Sequence, residues 1–301
     1  MNTILRSFFG KILKGKVSKN LNKKLKRLRF PSLSSKRDLV DNVGVLQLKY
    51  QKAEGLDFVD LIYSVMNQAY QKNVKILFFP GGLQYVFFPS FKENSKYVKY
   101  FTENHFNDFV RVFSKMAAGF GINIFTGEFY LYENNEIVRC GMVIDNYGKV
   151  SYIYKKPKSK LEVPPTFRFG NLNFAFLSTE EILMYEFSKL SVIRGANVLV
   201  NCSIGNISPH RYFEFRGIWS RCQQFKVCGI NATMVGETPW GYSNLPSGLY
   251  GPIEFFKKGI IATAEKSSET ELIIGKFGLE GVNIPVLEQS GLNKLMKTLK
   301  L

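Results

Sequence analysis

Acidic side chains are missing from the start of this chain. Between Met1 and Ser35 there is no Asp or Glu, while Arg6, Lys11, Lys14, Lys16, Lys19, Lys23, Lys24, Lys26, Arg27 and Arg29 all fall there. Most of the formal net charge of +17 therefore belongs to one end, and the rest is only mildly basic. Histidine is scarce: His105 and His210 are the two present, and neither stands beside a cysteine pair at ligand spacing, so neither a zinc site nor any other metal or cofactor is expected. Cysteine is sparse as well. Cys140, Cys202, Cys222 and Cys228 sit at irregular spacings in apolar contexts, which excludes a short disulfide framework and points to a reducing, cytoplasmic compartment. Long apolar runs are absent too. The best candidate, from Ile76 to Phe91, is broken by Pro80-Gly81-Gly82 and Pro89, so it falls short of the roughly 18 residues a spanning helix needs. No apolar region with a small-residue cleavage site follows the basic start, and no secretory signal is expected.

What is present suffices for one large core. The 301 residues are 45% hydrophobic and 15% aromatic, which predicts one globular domain over 38–285, preceded by an extension and linker (1–37) and followed by a short tail (286–301). In the extension, Ile4, Leu5, Phe8, Phe9, Ile12 and Leu13 recur every three to four positions, and Leu21, Leu25 and Leu28 continue a sparser stripe among cations. This is the pattern of a basic amphipathic helix, weakened at Gly10 and Gly15. It is open to four readings: an anionic membrane surface to which the protein attaches peripherally, a solvated tail, an organellar transit peptide, and a nucleic-acid arm. Phe8 and Phe9 in the stripe favour lipid over a phosphate backbone. Pro31-Ser32-Leu33-Ser34-Ser35 reads as the linker.

Strand and helix patterns then alternate. Asn42 to Leu48 reads as a strand, Asp57 to Tyr70 as an amphipathic helix, and Val74 to Phe79 as a second strand ending at Pro80. Lys99 to Phe120 predicts one long helix, and Ile122 to Phe125 a strand followed by Gly127-Glu128. Glu136 to Asp145 and Lys149 to Lys155 form a hairpin around Asn146-Tyr147-Gly148. The stretch from Asn171 to Ser203 carries the clearest unit. Leu172 to Leu177 is a buried strand, Ser178-Thr179-Glu180-Glu181 a sharp turn, and Leu183, Phe187, Leu190 and Ile193 one face of a helix. After Gly195-Ala196, Val198 to Val200 is a second buried strand, completing a βαβ unit. Beyond it, Arg211 to Gln224 predicts a helix and Lys226 to Val235 a strand.

The order and spacing of these elements over Asp41 to Leu279 resemble the nitrilase, or carbon–nitrogen hydrolase, superfamily. There an apolar strand ends in Cys-Tyr-Glu/Asp, and Arg-Gly-Ala leads into a strand ending Val-Asn-Pro-Ser; here Arg194-Gly195-Ala196 and Val200-Asn201-Cys202-Ser203 stand in those places. The resemblance implies an α/β four-layer α-β-β-α sandwich that pairs with a second copy through the helices after the nucleophile strand, so a homodimer or larger oligomer is the expected partner. It also implies hydrolysis or condensation of amide and nitrile C–N bonds by a Cys nucleophile, a Glu base and a Lys. Counting back from Arg194 puts the cysteine position at Thr179, with Glu181 matching the acid two places on. The strand that should end Phe-Pro-Glu ends Phe79-Pro80-Gly81, and Lys156 matches the lysine.

Two of the three catalytic roles have thus lost their side chains. Gly81 carries no proton, and a Thr hydroxyl needs an amine or imidazole base within reach to become a nucleophile. Three readings of the site are open. Thr179 is a strand-terminal hydroxyl capping the next helix, with Glu180 and Glu181 favoured by the dipole of its first turn; or Thr179 or Ser178 acts with Lys156 in a rearranged amidase or acyltransferase; or the nucleophile has moved to Cys202. Without the resemblance, Lys156 reads as one of a solvated basic run with Lys155, Lys158 and Lys160. The leading expectation is a homologue that binds a small amide or acyl ligand, or a protein partner, without hydrolysing it. A membrane-surface scaffold acting through the basic tail is a further alternative. Gln84 to Lys99, Lys158 to Phe169 and Gly205 to Arg211 are the expected pocket loops, with Tyr85, Phe87, Phe88, Phe91 and Phe167 as apolar walls, Arg168 as an anion contact and His210 at the mouth.

Overall fold

The computed structural model describes residues 18–32, 42–51, 53, 55–88, 92–157, 166–202, 204 and 217–277. The stripe from Ile4 to Leu13, the linker beyond Ser32, Phe91, the loops 158–165 and 205–211 with His210, and the tail 286–301 lie outside the described residues.

Two mixed sheets face each other. The chain lays down β1 (Val43–Lys49), β2 (Ile76–Phe78), β3 (Asn123–Glu133), β4 (Glu136–Ile144) and β5 (Val150–Pro157) in the first, then β6 (Thr166–Phe169), β7 (Leu172–Phe176), β8 (Val198–Asn201) and β9 (Cys228–Asn231) in the second. It returns to the first sheet for β10 (Met234–Thr238) and β11 (Gly241–Ser243), to the second for β12 (Gly248–Tyr250) and β13 (Ile260–Thr263), and closes with β14 (Glu271–Gly275) on β1. The orders are β11-β10-β1-β2-β3-β4-β5 and β13-β12-β9-β8-β7-β6. The helices are α1 (residues 18–27), α2 (Gly55–Gln71), α3 (Leu83–Phe87), α4 (Ser95–Asn104), α5 (Phe106–Phe120), α6 (Thr179–Leu183), α7 (Tyr185–Ile193) and α8 (Ile218–Phe225).

Three separate cores make four layers. Val43, Val45, Ile76, Phe78 and Phe125 meet Phe174, Phe176, Val198, Val200 and Ile230 between the sheets. On the other face of the first sheet, Leu46, Leu77 and Ile124 pack against Phe58, Ile62, Phe109 and Phe113 of α2 and α5. Outside the second sheet, Ala175, Leu177 and Leu199 pack against Ile182, Ile218, Cys222 and Phe225. Strands buried on both faces need apolar residues in both registers, which is why β2 and β8 read as continuous runs. This is the α-β-β-α sandwich that the resemblance implies.

Several boundaries differ from expectation. The single helix predicted from Lys99 to Phe120 is two, broken at His105 (φ −126°, ψ −19°), so that α4 buries Val98 and Phe101 while α5 buries Phe109, Val112, Phe113 and Met116. β3 does not stop at Phe125 but runs to Glu133 and turns into β4 through Asn134 and Asn135, both at positive φ, a conformation asparagine tolerates in hairpins. The strand predicted from Lys226 to Val235 crosses between sheets: β9 lies in the second and β10, after Ala232-Thr233, in the first.

The basic segment is not a free arm throughout. In α1 Leu21 and Leu25 are buried in the outer core, Lys24 Nζ bonds Asp60 and the Leu56 carbonyl, and Ser18 donates to Asp108 at 3.2 Å. Beyond it Tyr63 donates to the Arg29 carbonyl, Tyr70 to that of Ser32, and Phe30 packs edge-on to Phe120 at 5.3 Å. Residues 18–32, read as tail and linker, are thus part of the domain's outer layer, because Leu21 and Leu25 find apolar partners on α2 and α5. Leu21→Ala is expected to cost about 2–4 kcal/mol and to expose Lys19 to Arg29 to trypsin; limited proteolysis beside wild type checks it.

Candidate functional site

The positions singled out by the sequence converge where β3, β4 and β5 face the start of α6. Cross-strand partners share a face of the sheet. Arg139 on β4 stands opposite Lys156 on β5, and two residues along, Gly141 lies between Glu128 on β3 and Tyr154 on β5. One inward face therefore carries Glu128, Arg139, Tyr154 and Lys156. Lys155, on the other face, is exposed and pairs with Glu133 at 2.7 Å, whereas Lys156 is 2% exposed; Lys156 is not part of a solvated run.

Two cations opposite each other repel unless each is matched. The second sheet supplies the match through consecutive residues of α6. Glu180 takes Arg139 in a two-pronged bond at 2.6 and 3.0 Å, and Glu181 Oε1 accepts from Lys156 Nζ. Glu181 is held from behind as well: its Oε2 accepts from the Ser178 N–H at 2.9 Å while Ser178 Oγ accepts from the Glu181 N–H at 3.4 Å, a capping box. The two pairs differ in environment. Lys156 and Glu181 are both buried from solvent, whereas the Glu180 side chain is half-exposed. The Arg139 guanidinium holds the Glu180 carboxyl down at about 2.

Glu128 is the fifth titratable group. Its Oε2 accepts from the Ile204 N–H at 2.9 Å and its Oε1 has no partner among the described residues. Its N–H donates to the Cys202 carbonyl and its own carbonyl accepts from the Gly82 N–H, both at 2.8 Å. The side chain is thereby fixed between the Gly81-Gly82 turn and the end of β8. Burial pushes its pKa up to about 7, against the opposing pull of Arg139 and the Ile204 N–H. Gly82 adopts φ +86°, and a Cβ there would meet the Trp240 ring, so this turn needs its glycine.

Lys156, Thr179 and Glu181 thus come together, with Gly81 across from them beside Glu128. Thr179 is the first residue of α6 and 8% exposed, but the cap expected of its hydroxyl is made by Ser178 one place earlier, whose Oγ accepts from the Glu181 N–H. Cys202 is fully buried and burial pushes its thiol pKa well up, so it is a packed core residue and no thiolate. Glu128 and Arg139 were not foreseen as site residues. Carrying the alternation of β3 past Phe125 would have placed Glu128 on the outer face with Ile124; the register shift between Phe125 and Glu128 turns it inward, onto the face of Arg139 and Lys156.

The pocket expectations fare differently. Gln84 to Phe87 are not loop but α3, with Phe87 packed on Phe58 and Phe109 in the outer core. Phe167 stacks between Phe125 and Phe174 between the sheets, and Arg168 Nε donates to the Gly170 carbonyl of its own turn. The removal of these side chains from a pocket role follows from aromatic area being worth more in a core than at a rim. A cavity of about 340 Å³ lies elsewhere, between the second sheet and α8, walled by Ile182, Asn201, Asn231, Trp219, Tyr250 and Thr263 among others. Gly81, Lys156 and Thr179 are not among its walls.

Solved structures resemble this architecture closely along its length. A mutant of the amidase from Nesterenkonia sp. AN1, showing the result of Michael addition of acrylamide at the active-site cysteine, superposes with a TM-score of 0.68 at 13% identity, over 85% of this chain and 99% of that one. A double mutant of the same amidase in complex with acrylamide gives 0.67 at 14%, over 88% and 99%, and a cysteine mutant described as from the nitrilase superfamily gives 0.68 at 14%, over 88% and 98%. The fold is that of the nitrilase superfamily. No family model matches the chain, and no curated protein does. The nitrilase fold accounts for both sheets and three cores; at this identity it says nothing by itself about the reaction.

Proposed function

We propose that this chain is a nitrilase-fold protein that does not carry out cysteine-dependent C–N hydrolysis and acts instead by binding a small ligand or a protein partner. The observation that supports this reading is the state of Lys156. Its ammonium, which in an acyl-transfer site must meet developing negative charge on the substrate, is already neutralised by Glu181 inside the protein. The base position is Gly81, and the position matching the nucleophile is a hydroxyl. The thiol of Cys202, the other candidate nucleophile, is held protonated by burial. Ammonia release and acyl transfer over a panel of amides, nitriles and activated esters test the proposal. Wild type, Thr179→Ala and Lys156→Ala are all expected at background.

One observation favours a second reading. Glu128 has an open oxygen and a pKa near neutrality, as a general base would. Turnover abolished by both Thr179→Ala and Glu128→Gln would establish a rearranged hydrolase and overturn the first reading.

Self-association is proposed with either. Leu183, Met184 and Tyr185 are 37–42% exposed at the junction of α6 and α7, an apolar edge on the layer through which the resemblance implies pairing.

A further inference from the structure

The basic start of the chain has no part in the site, and its docked half carries an inference of its own. On a helical wheel Leu21 and Leu25 share one side of α1, and both are buried in the domain. Lys19, Lys23, Lys26 and Arg27 fall on the opposite side and are exposed. No ion pair among the described residues involves any of the four. The acids nearby are matched elsewhere: Asp60 by Lys24, and Asp108 by Arg111 at 2.9 Å. Arg29, exposed just beyond the helix, adds a fifth cation to the same end.

We propose that this outward face of α1 is a platform for an anionic lipid bilayer, with the preceding residues of the chain supplying the apolar part of the contact. Charge complementarity is the first argument, since four unpaired cations on one rigid helix face a partner of opposite sign without reorganisation. The second is the sequence outside the described residues. Seventeen residues precede α1, again without an acid, and they hold Ile4, Leu5, Phe8, Phe9, Ile12 and Leu13 at helical spacing. Apolar residues so placed bury in the acyl boundary, while a nucleic-acid arm gains nothing from them. The docking of Leu21 and Leu25 divides the labour. The stripe cannot insert in α1, so that half contacts headgroups and insertion is confined to the earlier half. Because α1 lies on the outer layer formed by α2 and α5, the bilayer meets that side. The cavity beside α8, on the opposite outer layer, then faces away from the membrane.

Vesicle sedimentation of the full chain tests the proposal, with phosphatidylcholine vesicles beside mixed phosphatidylcholine–phosphatidylglycerol vesicles at low and high salt. Wild type is expected to bind only the anionic vesicles, more weakly as salt rises. The variant K19Q/K23Q/K26Q/R27Q is expected to lose at least about tenfold in partitioning with an unchanged melting temperature, since none of the four is paired. Phe8→Ser with Phe9→Ser should weaken binding further and leave a residue abolished by salt. Equal binding to neutral vesicles, or an unchanged quadruple variant, would overturn the platform. So would binding of duplex DNA or RNA with no affinity for vesicles, which would identify a nucleic-acid arm instead.

Discussion

Glu181→Ala is expected to lower the free energy of unfolding by about 3–5 kcal/mol in a denaturant titration, because it strands the Lys156 ammonium in the interior. The lysine side chain is 3% exposed and Glu181 completely buried, so water cannot replace the lost carboxylate. The same substitution removes the acceptor of the Ser178 N–H and half of the capping box that opens α6. Arg139, on the same sheet face, would then oppose an unmatched cation. Glu180→Ala makes the internal comparison. That carboxylate is 52% exposed while its partner Arg139 is 11% exposed, so its loss should cost less than that of Glu181, about 1–2 kcal/mol. The double variant Lys156→Met with Glu181→Leu separates attraction from desolvation. A buried pair replaced by apolar residues of similar volume is often neutral, so the double variant should be markedly more stable than Glu181→Ala alone. If the losses measured for Lys156→Met and Glu181→Leu singly instead simply add in the double variant, the pair is not coupled and the account of the cluster is wrong.

That cluster also marks what sequence alone could give. The two strands of the unit at Asn171 to Ser203 were legible because β7 and β8 leave apolar runs, but the single helix expected between them is two, broken at Met184, with Leu183 exposed and Ser188 and Ser191 buried in place of the expected apolar face. Lys156 and Thr179 were legible only through resemblance, as spacing from Arg194 and the hairpin. Nothing in the periodicity distinguishes Lys156 from Lys155; the pleat of β5 does, by turning one inward and the other out. Glu128 stayed hidden because the strand was taken to end at Phe125 and because a register shift between Phe125 and Glu128 gives it the inward face that alternation would deny it. The crossing at Ala232-Thr233 was equally hidden. β9 and β10 are both apolar, and which sheet each joins depends on Thr233 reaching the Leu245 carbonyl and Ser247 at 2.7 and 2.9 Å, contacts between distant parts of the chain. The docking of α1 failed for a related reason: Leu21 and Leu25 look the same to a sequence whether they meet lipid or α5.

Glu128→Gln is expected to stabilise the protein at alkaline pH and to leave it unchanged in mild acid. The folded pKa is raised from an ordinary 4.5 to about 7. Between those values the unfolded chain has released the proton and the folded chain still holds it, so wild-type stability falls as pH rises from about 4.5 and levels off above about 7. At 1.36 kcal/mol per unit the full penalty is at most about 3 kcal/mol. Gln keeps the shape, can accept from the Ile204 N–H and carries no charge, so its advantage should grow through this window and then hold constant. Its amide nitrogen takes the place of an oxygen that already lacks a partner among the described residues, which keeps the gain below that ceiling. Glu180 acts with the opposite sign and in a different range. Held down to about 2 by Arg139, it adds stability that is complete above about 4.5 and is lost as pH falls through 2, so it does not mask the Glu128 slope. The physical reason is charge balance. Arg139 and Lys156 are already matched by Glu180 and Glu181, and a fifth ionised group would leave the buried face with an uncompensated negative charge. Chemical denaturation of both proteins across this pH range decides it. A stability difference that does not vary with pH would mean Glu128 is ionised in the folded protein, and would move it from a buried acid to a standing counter-charge for Arg139.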